Sequence, residues 1–230
     1  ILDKFKIPYT HSGAIASSIA MDKEISKKLF IKNKIKTPKF FTYSYDITKS
    51  NLIKKINKNL RFPVVIKPLN EGSSVNVYIS SKKTLDKILY KLKVYKKVLI
   101  EEFIGGREIQ VAIMGDKKLG AIELKPKRKF YDYQAKYDSK SKTQHIIPVD
   151  LPKSKFNKVM DIAYKAHKII GCRGVTRSDF KFFNGNFYLL ELNTQPGMTK
   201  LSLVPEIALY RGISFLKLIE WMLKDASKKK

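Results

Sequence analysis

The pattern of apolar and polar positions predicts a chain of mixed strands and helices. Period-two alternation and short β-branched runs predict strands, whereas apolar residues three and four positions apart predict amphipathic helices. Strands are predicted at 62–68, 75–79, 98–104, 109–113 and 121–124, and on either side of a turn at 184–185. Helices are predicted at 14–20, from Asp22 with Ile25 and Leu29 on one face, after Thr84, and over 155–170 and 213–223. These elements predict the α+β class.

The predicted hairpin around residues 184–185 brings polar side chains together. Alternate side chains of an extended strand share a face, so Glu191 and Asn193 project to the same side. A two-residue turn would pair Asp179 with Leu190 and put Asp179 on the opposite face. A three-residue loop centred on Gly185, or a bulge, puts Asp179 with Glu191. We expect one of these two, and a regular two-residue hairpin would count against a shared site.

The oxygens gathered in this way suit a metal ion. Carboxylate and amide oxygens are hard ligands, which fit a magnesium ion that carries substrate phosphates. Asp179, Glu191 and Asn193 are therefore candidate metal ligands. The alternative interpretation is an exposed hairpin end with ordinary solvated charges.

Two further features favour a phosphate ligand. Lys67 ends a buried strand, and the small-residue loop that follows, with Gly72, Ser73 and Ser74, can expose backbone N–H groups and hydroxyls to a phosphate. Lys23 lies in the first turn of a helix, where the dipole favours anions, so a phosphate partner would explain it. Both features also have ordinary explanations, since Gly-Ser turns are common and Lys23 is one of 41 lysines.

The chain is strongly basic, but its charge is not patterned for nucleic acid. Its 230 residues carry a formal net charge of +27, and a basic field attracts phosphates without regard to sequence. The excess comes from 41 lysines against 6 arginines, spread along helix faces, whereas nucleic-acid readers tend to use arginine forks. A solvated lysine-rich surface is therefore favoured, and a basic nucleic-acid-binding protein is the alternative from a different class.

Other features bound the setting and the organisation of the chain. The single cysteine, Cys172, excludes an internal disulfide and fits a reducing cytoplasm, and no apolar run reaches the roughly 18 residues that a membrane span needs. Ile1 begins in the middle of what looks like an ordinary segment, so we expect a missing N-terminal region. Gly105-Gly106 is a candidate hinge between two lobes, and the polar, aromatic segment 130–147 is a candidate lid.

The order of these features resembles a known superfamily. No GxxxxGK(S/T) loop and no GxGxxG motif occurs. A lysine on a strand, a Ser-Gly loop, an acidic hinge and a carboxylate hairpin follow one another as in the ATP-grasp superfamily, in which ATP lies between two α+β lobes. More narrowly, nearly the whole chain resembles the D-alanine–D-alanine ligases. The matching motifs, in order, are IPYTHSG, MDK, VVIKP, EGSSV, VLIEEFIGGRE, FYDYQAKY, TRSDF and LLELNTQPGMT.

The resemblance implies a role for each matching residue. Those implied to bind ATP are Lys23, Lys67, Ser73, Ser74 and Lys136 at the phosphates, Glu101, Glu102 and Ile104 at the adenine, and Glu108 at the ribose. Those implied to ligate two Mg²⁺ or Mn²⁺ ions are Asp179, Glu191 and Asn193. Those implied to act on the amino acids are Arg177 and the Gly197 amide at the oxyanion, Ser202 at the carboxylate of the second D-alanine, and Ser73 and Tyr137, which would hydrogen-bond a glutamate of the N-terminal domain.

The resemblance also implies the organisation and activity of the protein. Residues 1–22 would be a remnant of the N-terminal substrate domain, 23–104 a small lobe and 105–230 a large lobe with the metal site. The implied activity joins two D-alanine molecules through an acylphosphate and supplies the dipeptide for peptidoglycan. The expected form is a cytoplasmic homodimer without membrane or nucleic-acid partners. Without the N-terminal glutamate, we expect residues 1–230 alone to bind nucleotide but to turn over poorly.

The chain departs from the usual family pattern in a few places. Asn76 stands where glycine is usual after the Ser-Ser pair, His11 replaces a usual glycine, and Gln195 replaces a usual serine. The first departure bears on the flexibility of the phosphate loop. The alternative within the same class is another ATP-grasp carboxylate–amine ligase.

Overall fold

The computed structural model of this protein describes residues 1–125 and 143–228. It contains two antiparallel sheets, each covered by helices, and confirms the predicted α+β class. In chain order the elements are α1 (Ala14–Met21), α2 (Lys23–Lys32), β1 (Phe40–Tyr43), α3 (Lys49–Asn59), β2 (Val64–Pro68), β3 (Tyr78–Ser80), α4 (Leu85–Leu92), a 3₁₀ turn (Lys93–Tyr95), β4 (Val98–Glu102), β5 (Arg107–Met114), β6 (Lys117–Lys125), β7 (Gln144–Ile146), α5 (Lys153–Ile170), β8 (Val175–Phe183), β9 (Asn186–Asn193), α6 (Leu203–Tyr210) and α7 (Phe215–Ala226).

The first sheet has the strand order β1-β4-β2-β3. Val64 and Ile66 of β2 point into a core that α3 and α4 cover, because alternate side chains of a strand share a face. Val65 and Lys67 therefore point to the opposite face, where they line a cleft. The β-branched run that predicts this strand thus buries one face in apolar packing and presents a lysine on the other.

The second sheet has the order β7-β6-β5-β8-β9 and is covered on both faces. Helices α1, α2 and α5 pack on one face around Val111 and Phe180, while α6 and α7 pack on the other around Ala112 and Val175. The part of this second face that α6 and α7 leave uncovered carries Gln110 and Asp179 at the cleft. The long strands therefore place polar residues at one end of a face whose other end is core.

The β8–β9 hairpin contains the predicted bulge. Phe183 pairs with Asn186, so the turn has two residues, both with positive φ. The register then shifts between Asp179 and Phe180, and Leu190 becomes the additional residue. Asp179 consequently pairs with Glu191, as the shared site requires. The bulge, and not the turn, places the two carboxylates opposite each other.

Helix α2 and the linker after it join the two sheets. Phe30 lies in the core beneath the second sheet, while the Lys23 N–H donates to Leu69 O beside the first sheet (3.2 Å). In the linker, Lys36 O accepts from Leu189 N on β9 (2.8 Å) and Lys39 O accepts from Glu102 N on β4 (2.9 Å). The amino end of α2 is thereby held at the cleft.

Two expectations about elements were wrong in detail, and one element was missed. The strand predicted at 75–79 is reduced to β3, because Ser74 and Asn76 have positive φ. The end of the predicted lid forms β7, which pairs with β6. The helix α6 was not predicted at all. Lys136, Tyr137 and most of the predicted lid lie outside the described residues. No described helix has the length and apolarity of a membrane span.

Candidate active site

A cleft between the two sheets gathers most of the predicted site residues. Its lining includes Lys23, Lys67, Ser74, Glu101, Glu102, Ile104, Glu108, Asp179 and Glu191. These residues come from α2, from strands of both sheets and from the loops that follow strands. Residues separated by more than 150 positions in the chain therefore meet at one place.

One side of the cleft is a group of lysines around a carboxylate. The Lys67 Nζ lies 2.5 Å from Glu101 Oε1, because β2 and β4 are neighbours and both side chains leave the same face. The Lys27 Nζ lies 2.9 Å from Glu101 Oε2. Lys27 directs a hydrogen bond to Thr37 Oγ1. We call Lys23, Lys27 and Lys67, together with Glu101, the lysine wall.

Burial and mutual attraction oppose each other in the lysine wall. Burial lowers the pKa of Lys27 to about 8, although the charge of Glu101 opposes that shift. Burial alone would favour the protonated acid at Glu101, but Lys27 and Lys67 outweigh it and lower the pKa of that carboxyl. Glu101 is therefore ionised at neutral pH and holds positive charge on both sides.

Lys23 connects the lysine wall to the other side of the cleft. Its Nζ donates to the backbone oxygen of Glu71 (2.5 Å) and lies 3.8 Å from Glu191 Oε2. Burial lowers the pKa of Lys23, and Glu191 partly offsets this effect. The predicted cap is present, since Asp22 accepts hydrogen bonds from the N–H groups of Glu24 and Ile25 (2.9 Å each).

The predicted phosphate loop adopts an unusual backbone. Ser73, Ser74 and Asn76 have φ values of 52°, 59° and 54°, in the left-handed region that favours glycine. The Asn76 amide donates to the Tyr95 hydroxyl (2.6 Å) and accepts from the Tyr78 hydroxyl (3.2 Å). The two ends of the Asn76 side chain therefore anchor this loop to β3 and to the 3₁₀ turn.

The opposite side of the cleft is acidic. Arg177 forms a two-pronged ion pair with Asp179, with Nε 2.7 Å from Oδ1 and Nη2 3.0 Å from Oδ2. The Gln110 amide nitrogen also donates to Asp179 in the orientation that satisfies both ends of the amide. Glu191 lies opposite Asp179 across the bulge. We call Asp179 and Glu191, together with Arg177, the acid wall.

Asn193 and Glu108 extend the acidic side in two directions. Asn193 pairs with Arg177 across the hairpin, and its amide nitrogen is buried without a hydrogen-bond partner among the described residues. Such an orphaned polar atom is expected where a ligand completes the site. Glu108 is held by Lys181 (2.6 Å) at the edge of the cleft.

Gly197 lines a separate cavity and lies close to Ser202. A side chain on Gly197 would place its Cβ 3.0 Å from Ser202 Oγ, so the glycine allows the close approach. Ser202 Oγ also accepts from the Thr199 N–H (3.1 Å). The cavity beside Gly197 is lined by Thr10, His11, Val175, Thr194, Gln195, Pro196, Met198 and Met222. Two of the residues predicted to act on the amino acids, Gly197 and Ser202, are thus brought together beyond the end of β9, outside the cleft between the two sheets.

The sequence did not predict three residues that build these walls. Lys27, Gln110 and Lys181 contact Glu101, Asp179 and Glu108 respectively. Gln110 and Lys181 could have been found from strand alternation, since each shares a sheet face with a predicted site residue. Each unpredicted residue holds a predicted one in place.

Comparisons of the sequence identify relatives over almost the whole chain. The family described as "D-ala D-ala ligase C-terminus" matches residues 29–224. The D-alanine–D-alanine ligase of Pelagibacter ubique (strain HTCC1062) is 71% identical over 227 residues, which cover 99% of this chain and 75% of the relative. The enzyme of the same name from Wolbachia pipientis wMel is 40% identical over 231 residues, covering 98% of this chain and 71% of the relative.

Solved structures agree with the sequence comparison. The D-alanine–D-alanine ligase from Bacillus anthracis matches with a TM-score of 0.85 at 34% identity, covering 98% of this chain and 73% of that one. The same enzyme in a complex with ATP matches with a TM-score of 0.82 at 29% identity, covering 98% and 72%. The predicted ATP-grasp fold is confirmed, and the chain belongs to the D-alanine–D-alanine ligase family.

Proposed function

We propose that this chain binds ATP in the cleft between its two sheets and uses it to join two D-alanine molecules. The observation that carries the proposal is that the lysine wall faces the acid wall across one cleft, with Lys23 Nζ 3.8 Å from Glu191 Oε2. A nucleotide phosphate accompanied by metal ions needs cations on one side and oxygen ligands on the other. Both relatives named above are D-alanine–D-alanine ligases, and we propose the same activity for this chain.

The nucleotide is proposed to lie with its phosphates on the lysine wall. Lys23 and Lys67 present buried ammonium groups at the cleft, and the loop of Ser73 and Ser74 follows β2 directly. The lining that leads from the lysine wall toward Gly105-Gly106 is suited to the base and the sugar. Residues proposed there are Glu101, Glu102 and Ile104 for the adenine and Glu108 for the ribose.

The acid wall is proposed to hold two Mg²⁺ or Mn²⁺ ions. Asp179, Glu191 and the amide oxygen of Asn193 offer hard oxygen donors, while the unpartnered Asn193 nitrogen is a hydrogen-bond donor that suits a phosphate oxygen accompanying the metal. The described residues contain no group of three or more His, Cys, Asp or Glu side chains that could hold a metal ion. A set of two carboxylates and one amide fits magnesium, because magnesium takes few protein ligands and keeps phosphate and water oxygens. Metal bound there would neutralise phosphate charge.

The first chemical step activates a carboxylate, which is a poor electrophile. A carboxylate oxygen of the first D-alanine bonds to the γ-phosphorus of ATP while the bond from that phosphorus to the bridging oxygen breaks, and ADP leaves. This step needs mainly positioning and neutralised charge, which Lys23 and Lys67 supply from the lysine wall. Lys136, which is not among the described residues, is proposed to assist at the γ-phosphate.

The second step forms the peptide bond. The neutral amine of the second D-alanine attacks the acyl carbon, the tetrahedral oxyanion collapses as the bond from carbon to the phosphate oxygen breaks, and phosphate leaves with the proton that the amine loses. Arg177 and the Gly197 amide are proposed to stabilise the oxyanion by several kcal/mol, on the order of other oxyanion holes. Ser202, beside Gly197, is proposed to bind the carboxylate of the second D-alanine. Tyr137 and Ser73 keep the positioning roles that the resemblance implies.

The setting is also a proposal. A homodimer is what the resemblance implies, and size-exclusion chromatography with light scattering tests it. A cytoplasmic location is supported by the single cysteine, whose pKa burial raises to about 11, which makes it unreactive. It is also supported by the need for ATP.

The test measures ADP formation by the protein made from its complete gene, with and without D-alanine. We expect D-alanine-dependent turnover, and a loss of about 10²-fold or more in Lys67→Ala and Glu191→Ala. Asp116→Ala is the matched control, because Asp116 is exposed and pairs only with surface groups such as Lys168. Turnover with other amino acids but not with D-alanine would instead indicate another carboxylate–amine ligase.

The nucleic-acid alternative makes a separate prediction. It requires salt-dependent binding of DNA or RNA that survives Asp179→Ala. Nucleic-acid binding of that kind together with no ATP binding would contradict the ligase proposal.

A further inference from the structure

Lys27 is a buried cation for which the sequence predicted no role. Its side chain is fully buried on α2, and its Nζ lies 2.9 Å from Glu101 Oε2 and 5.3 Å from the centre of the Phe40 ring. It does not line the cleft, whereas Lys23, Lys67 and Glu101 do. Lys27 therefore reaches the cleft only through the carboxylate that it shares with Lys67.

A buried lysine is costly, so its retention needs a reason. Removing an ammonium from water costs several kcal/mol even after relaxation, and burial accordingly lowers the pKa of Lys27 to about 8. An apolar side chain on the same helix face would avoid this cost. Stability alone is therefore a weak explanation for a lysine at this position.

The charge balance around Glu101 gives a better explanation. Among the described residues, Lys27 and Lys67 are the two ion-pair partners of Glu101, one on each oxygen. If Lys67 were the only partner, the pair would be neutral, and moving Lys67 to a phosphate would leave a buried carboxylate unpaired. Such an unpaired buried charge costs several kcal/mol. With Lys27 present, Glu101 keeps a partner when Lys67 turns to the ligand.

We propose that Lys27 is a positioning residue that holds Glu101 so that Lys67 can transfer from this carboxylate to a nucleotide phosphate. The proposal rests on the proposed function, since it assumes that phosphates occupy the lysine wall. Thr37 assists by accepting a hydrogen bond from the Lys27 amine. Without a nucleotide, Lys67 is thus paired with Glu101. Breaking that pair costs little, because Lys27 stays paired with Glu101.

A double-mutant cycle tests this proposal in the protein made from its complete gene. The variants are Lys27→Met, Glu101→Gln and the double variant, and the matched control is Lys28→Met, because Lys28 is exposed one position away on the same helix. The readouts are the Kd for a non-hydrolysable ATP analogue, KM and kcat, and the melting temperature.

In Lys27→Met we expect the Kd and the KM for ATP to rise about tenfold, because Lys67 stays bound to an otherwise unpaired Glu101. Glu101→Gln removes that carboxylate charge, so in its background Lys27→Met should change both values by less than about threefold relative to Glu101→Gln alone. Lys28→Met should bind like wild type. A double variant that binds ATP tenfold or more weakly than Glu101→Gln alone overturns the proposal.

The cycle remains decisive if Lys27→Met does not fold. Lys27→Gln then replaces it, because its amide can still donate to Thr37 but carries no charge to pair with Glu101. Lys27→Gln should raise the Kd for the analogue about tenfold, and a Kd within about threefold of wild type overturns the proposal. Failure of the proposed function itself is distinguishable, because wild type would then show neither analogue binding nor D-alanine-dependent ADP formation.

Discussion

In the lysine wall one carboxylate, Glu101, lies among cations, whereas in the acid wall one guanidinium, Arg177, lies among carboxylates. Like charges about 4 Å apart repel by about 4 kcal/mol at the effective dielectric of a protein surface. One opposite charge within about 3 Å offsets that repulsion on each side. Each wall thus holds like charges together through one opposite charge, which is the Glu101 carboxylate in the lysine wall and the Arg177 guanidinium in the acid wall.

This difference explains how one cleft can take a multiply charged ligand. The lysine wall is formed by short strands of the first sheet and by α2, and its groups are buried. The acid wall is formed by the β8–β9 hairpin, where a bulge aligns the carboxylates. Because each wall carries its own countercharge, neither needs the ligand in order to fold, and both are arranged before the ligand arrives.

The largest expected effect comes from removing a charge of the acid wall. Asp179→Asn should reduce D-alanine-dependent ADP formation by about 10²- to 10³-fold, because a carboxylate proposed to ligate metal is lost and Arg177 loses its fork partner. It should also raise the Mg²⁺ concentration needed for half-maximal rate. Initial rates over a Mg²⁺ titration measure both effects.

Folding must be intact for that result to concern the acid wall. Asp116→Asn, at an exposed carboxylate in the turn between β5 and β6, should stay within about twofold of wild type. A rate for Asp179→Asn within tenfold of wild type, with an unchanged Mg²⁺ requirement, would show that the acid wall is not a metal site.

A buried polar pair away from both walls contrasts with their buried charged groups. His167 of α5 lies 2.8 Å from Thr176 Oγ1 of β8, on the core face of the second sheet. Burial, with a smaller contribution from Lys168, lowers the pKa of His167 to about 4. Where no ligand is expected, the buried group is therefore neutral.

This neutrality predicts a pH dependence of stability. The folded state binds the proton only below about pH 4, while the unfolded state binds it below about 6.5, so stability falls as pH drops through this window. The loss due to His167 is on the order of 2 to 3 kcal/mol. In His167→Asn the free energy of unfolding should depend less on pH between 7 and 4, as measured by urea unfolding at several pH values.

The control for His167 is another histidine outside the core. His145 lies at the surface beside Glu206, so His145→Asn should keep the full contribution of His167. Equal slopes in wild type and His167→Asn would contradict a neutral buried histidine. Turnover at pH 7 should be unchanged in either variant, because neither residue lines the cleft.

Sequence patterns predicted the acid wall better than the lysine wall. Alternation along β9 puts Glu191 and Asn193 on one face, and the requirement that Asp179 join them predicts either a three-residue loop or a bulge, of which the structure has the bulge, at Leu190. Side-chain chemistry and strand periodicity are sufficient there, because the participating residues are close in sequence.

The lysine wall depends on contacts that periodicity does not encode. Lysine is almost always exposed, so the sequence interpretation put Ile25 and Leu29 on the packed face of α2. In the structure Ile25 is 50% exposed, whereas Lys27 is fully buried. Lys23, Lys27 and Phe30 lie on one helix face, and this pattern would have predicted the buried face of α2. Burial of Lys27 is nevertheless possible only because the Glu101 carboxylate offsets the desolvation of its ammonium group.

The smallest expected effect concerns the loop that covers the lysine wall. Asn76 is in a glycine-like conformation and both ends of its side chain are hydrogen-bonded, to Tyr95 and Tyr78. Asn76→Gly should keep the backbone conformation and release the anchors, so backbone amide exchange over residues 72–76 should rise and kcat/KM for ATP should fall, each by a few-fold.

Tyr95→Phe separates the anchor from the backbone in this loop. It removes the hydroxyl that accepts from Asn76 (2.6 Å) and leaves the loop residues unchanged, so it should reproduce most of the effect of Asn76→Gly. Hydrogen–deuterium exchange and ATP kinetics on both variants measure this. If Asn76→Gly alone speeds exchange, the cause is the freedom of the glycine backbone and not the lost anchor. If neither does, the loop is held by other contacts, and the lysine wall does not depend on Asn76.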